Sequence, residues 1–89
     1  MIKTLEQLGY TRTEYLDDDG KLYSIDFVKE DITGRQRIDI SVAHSLVEAY
    51  TINNKGSIDI EVLDFETIKA IDLEINEIEI YKEQLWKSF

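Results

Sequence analysis

The chain has 89 residues, with nineteen acids, ten bases, one His, no Cys and no Pro, and its formal net charge is −9. That length predicts one domain over residues 1–89, and the absence of Cys excludes disulfides and thiolate metal sites. The acidic balance argues against direct nucleic-acid binding and against docking on an anionic membrane, since both require clustered Lys and Arg. With no signal peptide or long apolar run, we expect a soluble cytoplasmic protein.

The first predicted element is a short helix near the amino terminus. Thr4 and Gln7 have the spacing of a capping box, and Gly9 suits the left-handed residue that ends a helix. Leu5 and Leu8 would then close one end of the core.

Four or five strand-like runs follow, separated by residues that favour turns. The predicted strands are residues 10–16, 22–29, 36–43, 46–52 and 57–63, with a bend at 43–45 and turns at 17–20, 31–34 and 53–56. Alternation of apolar and polar residues places Tyr23, Ile25 and Phe27 on one face of their strand and makes the strand with Ile38, Ile40 and Val42 half-buried. It also predicts that Ile58, Ile60 and Val62 point inward.

The last predicted element is a helix from about Phe65 to Lys87, with Asp64 as its N-cap. A three-four spacing marks its core seam, which is formed by Ile68, Ile71, Ile75, Ile78, Leu85 and Phe89. The same stretch also allows a hairpin of residues 71–75 and 78–80, and the sequence leaves that alternative open. The fold class is α+β: a short N-terminal helix, an antiparallel meander, and a long C-terminal helix packed on one sheet face.

The candidate catalytic and metal-binding groups do not form a recognisable site. Asp17-Asp18-Asp19-Gly20 aligns with a calcium loop only if Tyr15 occupies a position that needs an oxygen ligand, so it predicts a solvated turn. His44 lies near Ser41 without a scaffold or oxyanion hole. We therefore expect no enzyme activity, no metal and no cofactor.

Three arginines, Arg12, Arg35 and Arg37, form a possible anion-binding spot near the 33–34 turn. Pairing with the chain's own acids across the strands is the competing interpretation, and the one we favour.

The acidic residues are concentrated near the C-terminal helix, where residues 59–79 hold eight acids and one base. Leu73 and Ile80 lie opposite the predicted core seam, as apolar anchors ringed by carboxylates would at a protein interface. The predicted partner-binding residues are Asp72, Leu73, Glu74, Glu77, Glu79, Ile80 and Glu83. The predicted partner is a basic protein, and the chain itself is expected to be a monomer or weak dimer. A solvated surface and a homo-oligomer built through this helix remain alternatives.

The segments LEQLGY, EYLDDDGKLYSIDF and SIDIEVLDFETIKAI, with a final QLW, resemble a group of small acidic phage and prophage proteins of Gram-positive bacteria. The positions that carry the resemblance are Leu5, Leu8, Gly9, Tyr10, Ile25, Phe27, Leu63, Glu66, Ala70, Ile71 and Trp86. The chain departs from that group in the extra length between Ala70 and Trp86, and no functional residue carries over. The resemblance implies a phage accessory protein of the anti-CRISPR kind, which binds a host nuclease or another nucleic-acid-handling protein in the bacterial cytoplasm.

Overall fold

The computed structural model describes residues 2–32, 34–60 and 63–87 and has an α+β fold. Five strands precede one helix: β1 (Thr11–Leu16), β2 (Leu22–Asp31), β3 (Gly34–Ser41), β4 (Leu46–Asn53), β5 (Ile58–Ile60) and α1 (Phe65–Lys87). The strands form one antiparallel sheet in the order β1-β2-β3-β4-β5. Within the described ranges, no helix has the length and apolar character needed to cross a membrane.

The predicted turns connect neighbouring strands as expected. The Asp17 carboxylate accepts hydrogen bonds from the backbone N–H groups of Asp19 and Lys21, each 2.9 Å long. Asn53 closes the last hairpin in the same way, accepting from Lys55 and Ser57. These side chains satisfy backbone donors that a tight turn leaves unpaired, which explains why Asp and Asn begin the turns.

The predicted N-terminal helix is wrong, although its capping box forms. The Thr4 N–H donates to the Gln7 side chain at 2.9 Å, and the Gln7 N–H donates to the Thr4 hydroxyl at 3.1 Å. Residues 5–9 nevertheless form only hydrogen-bonded turns, and Gly9 has a φ of 100°. Ending the segment so soon after the cap leaves too few residues to offset the unfavourable nucleation of a helix.

The core lies between the sheet and α1. Ile25 and Phe27 on β2 and Ile38 on β3 are fully buried, and each contributes roughly 1.5–3 kcal/mol by leaving water. The other core residues are Leu5, Tyr10, Ile40, Val42, Ala70, Ile71 and Ile78. The prediction that Ile58 points inward is wrong, since this residue is 67% exposed, and Tyr23, on the strand face of Ile25 and Phe27, is 44% exposed.

The hairpin alternative for residues 71–80 is excluded, because α1 is continuous from Phe65 to Lys87. The Asp64 carboxylate caps it by accepting the Thr67 N–H at 2.8 Å. A hydrogen bond with the Thr67 side chain, and then the one from its backbone N–H, lowers the pKa of Asp64. The helix face that meets the sheet includes Ala70, where the sequence predicted Ile68, which is 48% exposed. Val62, Phe89 and the side chains of Ile60 and Trp86 lie outside the description.

Candidate functional site

The outward side of α1 carries most of the predicted partner-binding residues. Asp72, Glu77 and Glu79 are exposed, and Ile80 exposes 55% of its surface among them. Glu83 is exposed one turn further along, while Leu73 is half-buried at the flank. We call these six residues, Asp72, Leu73, Glu77, Glu79, Ile80 and Glu83, the outer helix face. Its members share a side because positions three, four and seven apart lie together on a helix.

Glu74 does not belong to this surface, and its predicted place there is wrong. It is 9% exposed and lies between α1 and the sheet, where its carboxylate pairs with the Arg12 guanidinium of β1. Burial raises the pKa of Glu74, and the hydrogen bond from Arg12 opposes that rise. The reason is positional: Glu74 is one turn from both Ile71 and Ile78, so it shares their inward-facing side.

The three arginines do not form a free basic spot, which confirms the prediction that they pair with the chain's own acids. Arg12 contacts Glu14 as well as Glu74, and Arg35 contacts Glu30, its cross-strand neighbour, at 2.7 Å. The structure therefore gives no support to anion capture at these positions.

A polar cluster on the sheet face opposite α1 is the feature that the sequence analysis missed. Arg37 donates to Asp26 at 2.6 Å and to Asp39 at 2.8 Å, and the Tyr50 hydroxyl donates to Asp39 at 2.8 Å. Asp26 and Asp39 are direct partners across β2 and β3. We call Asp26, Arg37, Asp39 and Tyr50 the open-face cluster. Polar residues at matching strand registers were its only signal in the sequence.

The two carboxyl groups of the open-face cluster have different proton affinities. Burial raises the pKa of Asp26, and its hydrogen bond with Asp39 raises it further. For Asp39, burial by itself would raise the pKa, but the hydrogen bonds with Arg37, Asp26 and Tyr50 together outweigh burial, and the pKa lies below its ordinary value. Two adjacent carboxylates compete for one guanidinium, so they share its charge unequally. The cluster holds its own charges together and, on this geometry, stabilises the fold.

Other candidate groups have local roles in the turns. Ser41 accepts the His44 backbone N–H at 3.1 Å, which orders the β3–β4 turn and does not pair the serine with the imidazole. No set of three or more His, Asp or Glu side chains in the part of the chain that is described has an arrangement suited to a metal ion.

A groove of about 370 Å³ runs between β1 and the flank of α1. Its lining includes Glu14, Glu77 and Tyr81, whose hydroxyl accepts the Leu22 N–H at 3.0 Å. The groove lies beside the outer helix face and adds a concave, acidic margin to it.

No protein-family model matches the chain, and no curated protein or solved structure matches it at a significant level.

Proposed function

We propose that this protein is a non-catalytic accessory protein of a phage or mobile element, which binds a basic protein through the outer helix face. The observation that carries the proposal is the exposed Ile80, with Asp72, Glu77 and Glu79 around it on a helix whose opposite side is buried. An apolar centre with a charged rim is the composition of a protein-binding surface.

Charge gives this surface its preference for a partner. The chain carries −9 overall, and the outer helix face contributes four carboxylates and no base. Its field attracts a positively charged surface and speeds encounter with it, while a like-charged copy of the same face is repelled. This repulsion argues against the alternative of a homo-oligomer formed through α1.

The class of partner that suits this chemistry is a host protein that handles nucleic acid, such as a CRISPR nuclease. Such a protein has a channel lined with Lys and Arg for a phosphate backbone, and a helix bearing carboxylates competes for the same cations. The resemblance to small phage proteins supports the phage setting. Binding in the channel would inhibit the host protein without any chemical step.

The experiment compares two variants with the same change of charge. Asp72→Lys with Glu79→Lys alters the outer helix face, whereas Asp18→Lys with Asp19→Lys alters the β1–β2 turn. Each pair moves the net charge from −9 to −5, because each substitution adds two charges to the starting value. All four positions are exposed, so both variants should fold.

Each protein is immobilised and exposed to lysate of a Gram-positive bacterium, and captured proteins are quantified and then purified for calorimetry. We expect wild type and the turn variant to bind the same basic protein, and the helix variant to bind it at least tenfold more weakly. DNA should displace the complex. Equal affinity of the two variants for the purified protein, or a captured partner that DNA leaves in place, would contradict the proposal.

A further inference from the structure

β1 is an outer edge of the sheet. Within the described residues it pairs only with β2, and all but one of its six residues are exposed. An edge strand presents unpaired backbone N–H and C=O groups that can bond to another strand. This edge is separate from the outer helix face, so the inference does not depend on the proposed function.

The hydrogen-bond pattern shows which residues present these groups. The Val42 N–H donates to the Tyr23 carbonyl at 2.9 Å, so Tyr23 bonds toward β3. The side to which the backbone N–H and C=O groups point alternates from residue to residue along an antiparallel strand. The backbone groups of the even-numbered residues of β2 therefore bond toward β1. Asp26 is one of them, and its partner on β1 is Thr13.

The backbone N–H and C=O groups of Thr13 therefore bond to β2. Those of Arg12 and Glu14 point away from the sheet. Tyr10, two residues before Arg12, is consistent with this assignment because its N–H bonds to the Leu5 carbonyl and not to β2. The free edge is therefore centred on Thr13.

Of the two-fold axes centred at Arg12, Thr13 and Glu14, charge favours one for a second copy of the chain. In an antiparallel pair related by a two-fold axis, outward-directed residues must oppose one another. Axes at Arg12 or at Glu14 would each place like charges directly opposite, which is destabilising. An axis at Thr13 places Arg12 opposite Glu14 of the second copy, and Glu14 opposite its Arg12. Every nearest charged neighbour along and across the two strands is then of opposite sign.

The helix leaves room for this pairing. Ile71 and Ile78 of α1 share the core with Ile25, Phe27 and Ile38 of β2 and β3. A helix centred over these two strands lies about 7 Å from β1 at a strand spacing of roughly 4.8 Å. Doubling the distance from the axis of α1 to the two-fold axis separates the two helices by about 19 Å. Helices about 10 Å in diameter do not collide at that distance.

We propose that the protein forms a two-fold symmetric dimer through β1, giving one continuous ten-stranded sheet with Thr13 on the axis. With Thr13 on the axis, residues 11–15 pair on each side, so the contact is short and the dimer is weak and depends on concentration. The net charge of −9 on each copy opposes association at low ionic strength, and the alternating pairs at the edge give it specificity.

Sedimentation equilibrium over a wide concentration range tests the dimer with three variants. Glu14→Pro removes an outward N–H without removing a bond to β2, and Glu14→Lys places a like charge opposite Arg12 of the second copy. Glu48→Lys, on the exposed side of the inner strand β4, is the control with the same charge change. Circular dichroism checks that each variant is folded.

We expect wild type and Glu48→Lys to approach twice the monomer mass of 10.4 kDa at high concentration. Both Glu14 variants should associate at least tenfold more weakly. If Glu14→Pro fails to fold, Glu14→Lys with concentration-dependent exchange protection of the Arg12 and Glu14 amides decides the question. A wild type that remains monomeric to about 1 mM, a scale typical of weak association, or Glu14 variants that dimerise like wild type, would overturn the proposal.

Discussion

Arg12 and Glu74 form the ion pair that joins β1 to α1, and the two partners differ in how well they tolerate its loss. The Glu74 side chain is 11% exposed and Arg12 is its ion-pair partner, whereas the Arg12 side chain is 25% exposed and also contacts Glu14 at 2.8 Å. Arg12 further lies over the Phe27 ring, 5.5 Å from its centre. We therefore predict that Arg12→Met destabilises the fold more than Glu74→Met.

The expected magnitudes follow from burial. Removing one partner of a fully buried pair costs about 3–5 kcal/mol. Because Arg12 is partly solvated, we expect Arg12→Met to lower the free energy of unfolding by about 2–3 kcal/mol, or Tm by roughly 10–20 °C. Glu74→Met should cost no more than about 1 kcal/mol, since Arg12 keeps Glu14 and water. The double variant should lie within about 1 kcal/mol of wild type, because no buried charge is left unpaired.

The stability deficit of Arg12→Met, meaning its loss of unfolding free energy relative to wild type, should depend on pH. Burial already raises the pKa of Glu74, and loss of Arg12 removes the interaction that opposes this rise. The folded pKa then lies further above the unfolded value of about 4.3, so the folded chain binds more protons in that interval. Its stability falls as pH rises through the interval and recovers as pH falls. The deficit should shrink between neutral pH and about pH 5.

Urea denaturation followed by circular dichroism at two pH values measures all four proteins of this cycle. The matched comparison is Glu74→Met, which lacks the titrating carboxyl and therefore gains no stability from its protonation, so its deficit should not shrink on acidification. A larger cost for Glu74→Met than for Arg12→Met, or a deficit of Arg12→Met that grows on acidification, would refute the reasoning.

The remaining predictions concern packing, a turn and the open-face cluster. Ile78→Ala should cost about 2–5 kcal/mol and Ile80→Ala less than about 0.5 kcal/mol in urea titrations, since Ile78 is 7% exposed and Ile80 55%; similar costs would contradict the assigned helix faces. Gly34→Ala should destabilise more than Gly20→Ala in thermal melts, because a Cβ at Gly34 would lie 2.2 Å from a backbone oxygen while Gly20 faces open space. Arg37→Met should leave the paired carboxylates without their cation, so one folded pKa rises above its unfolded value and stability falls as pH rises through that interval. A deficit that is larger at about pH 4 than at neutral pH would exclude this account.

Much of the fold follows from local sequence signals. The Asp and Asn turns and the alternating strands predicted the sheet, and the unbroken run after Gly56 predicted the bounds of α1 as the structure has them. The N-terminal segment was mispredicted because a cap fixes where a helix can begin without supplying the length that stabilises it. Ile58 was mispredicted because β5 lies at the sheet edge, where alternation does not guarantee a covering layer.

The candidate site was predictable only in part, for a different reason. Periodicity identifies which residues of a helix share a side, and it placed Asp72, Glu79 and Ile80 together correctly. Periodicity cannot predict an inward-facing carboxylate, because a hydrophobic pattern assigns every polar residue, including Glu74, to the exposed side. Only the register of β1, which brings Arg12 beneath α1, accounts for its burial. Long-range pairs of this kind cannot be read from one segment.

This division of the acids decides which substitutions can test binding. Glu74 is held by Arg12, and Asp26 and Asp39 are held by Arg37, so these carboxylates stabilise the fold and are not available to a partner. A charge reversal at Glu74 would place two cations together at the helix–sheet contact, and lost binding would then report unfolding. Reversals confined to the outer helix face leave these pairs intact. Loss of binding in such variants, with unchanged stability, can be assigned to the surface itself.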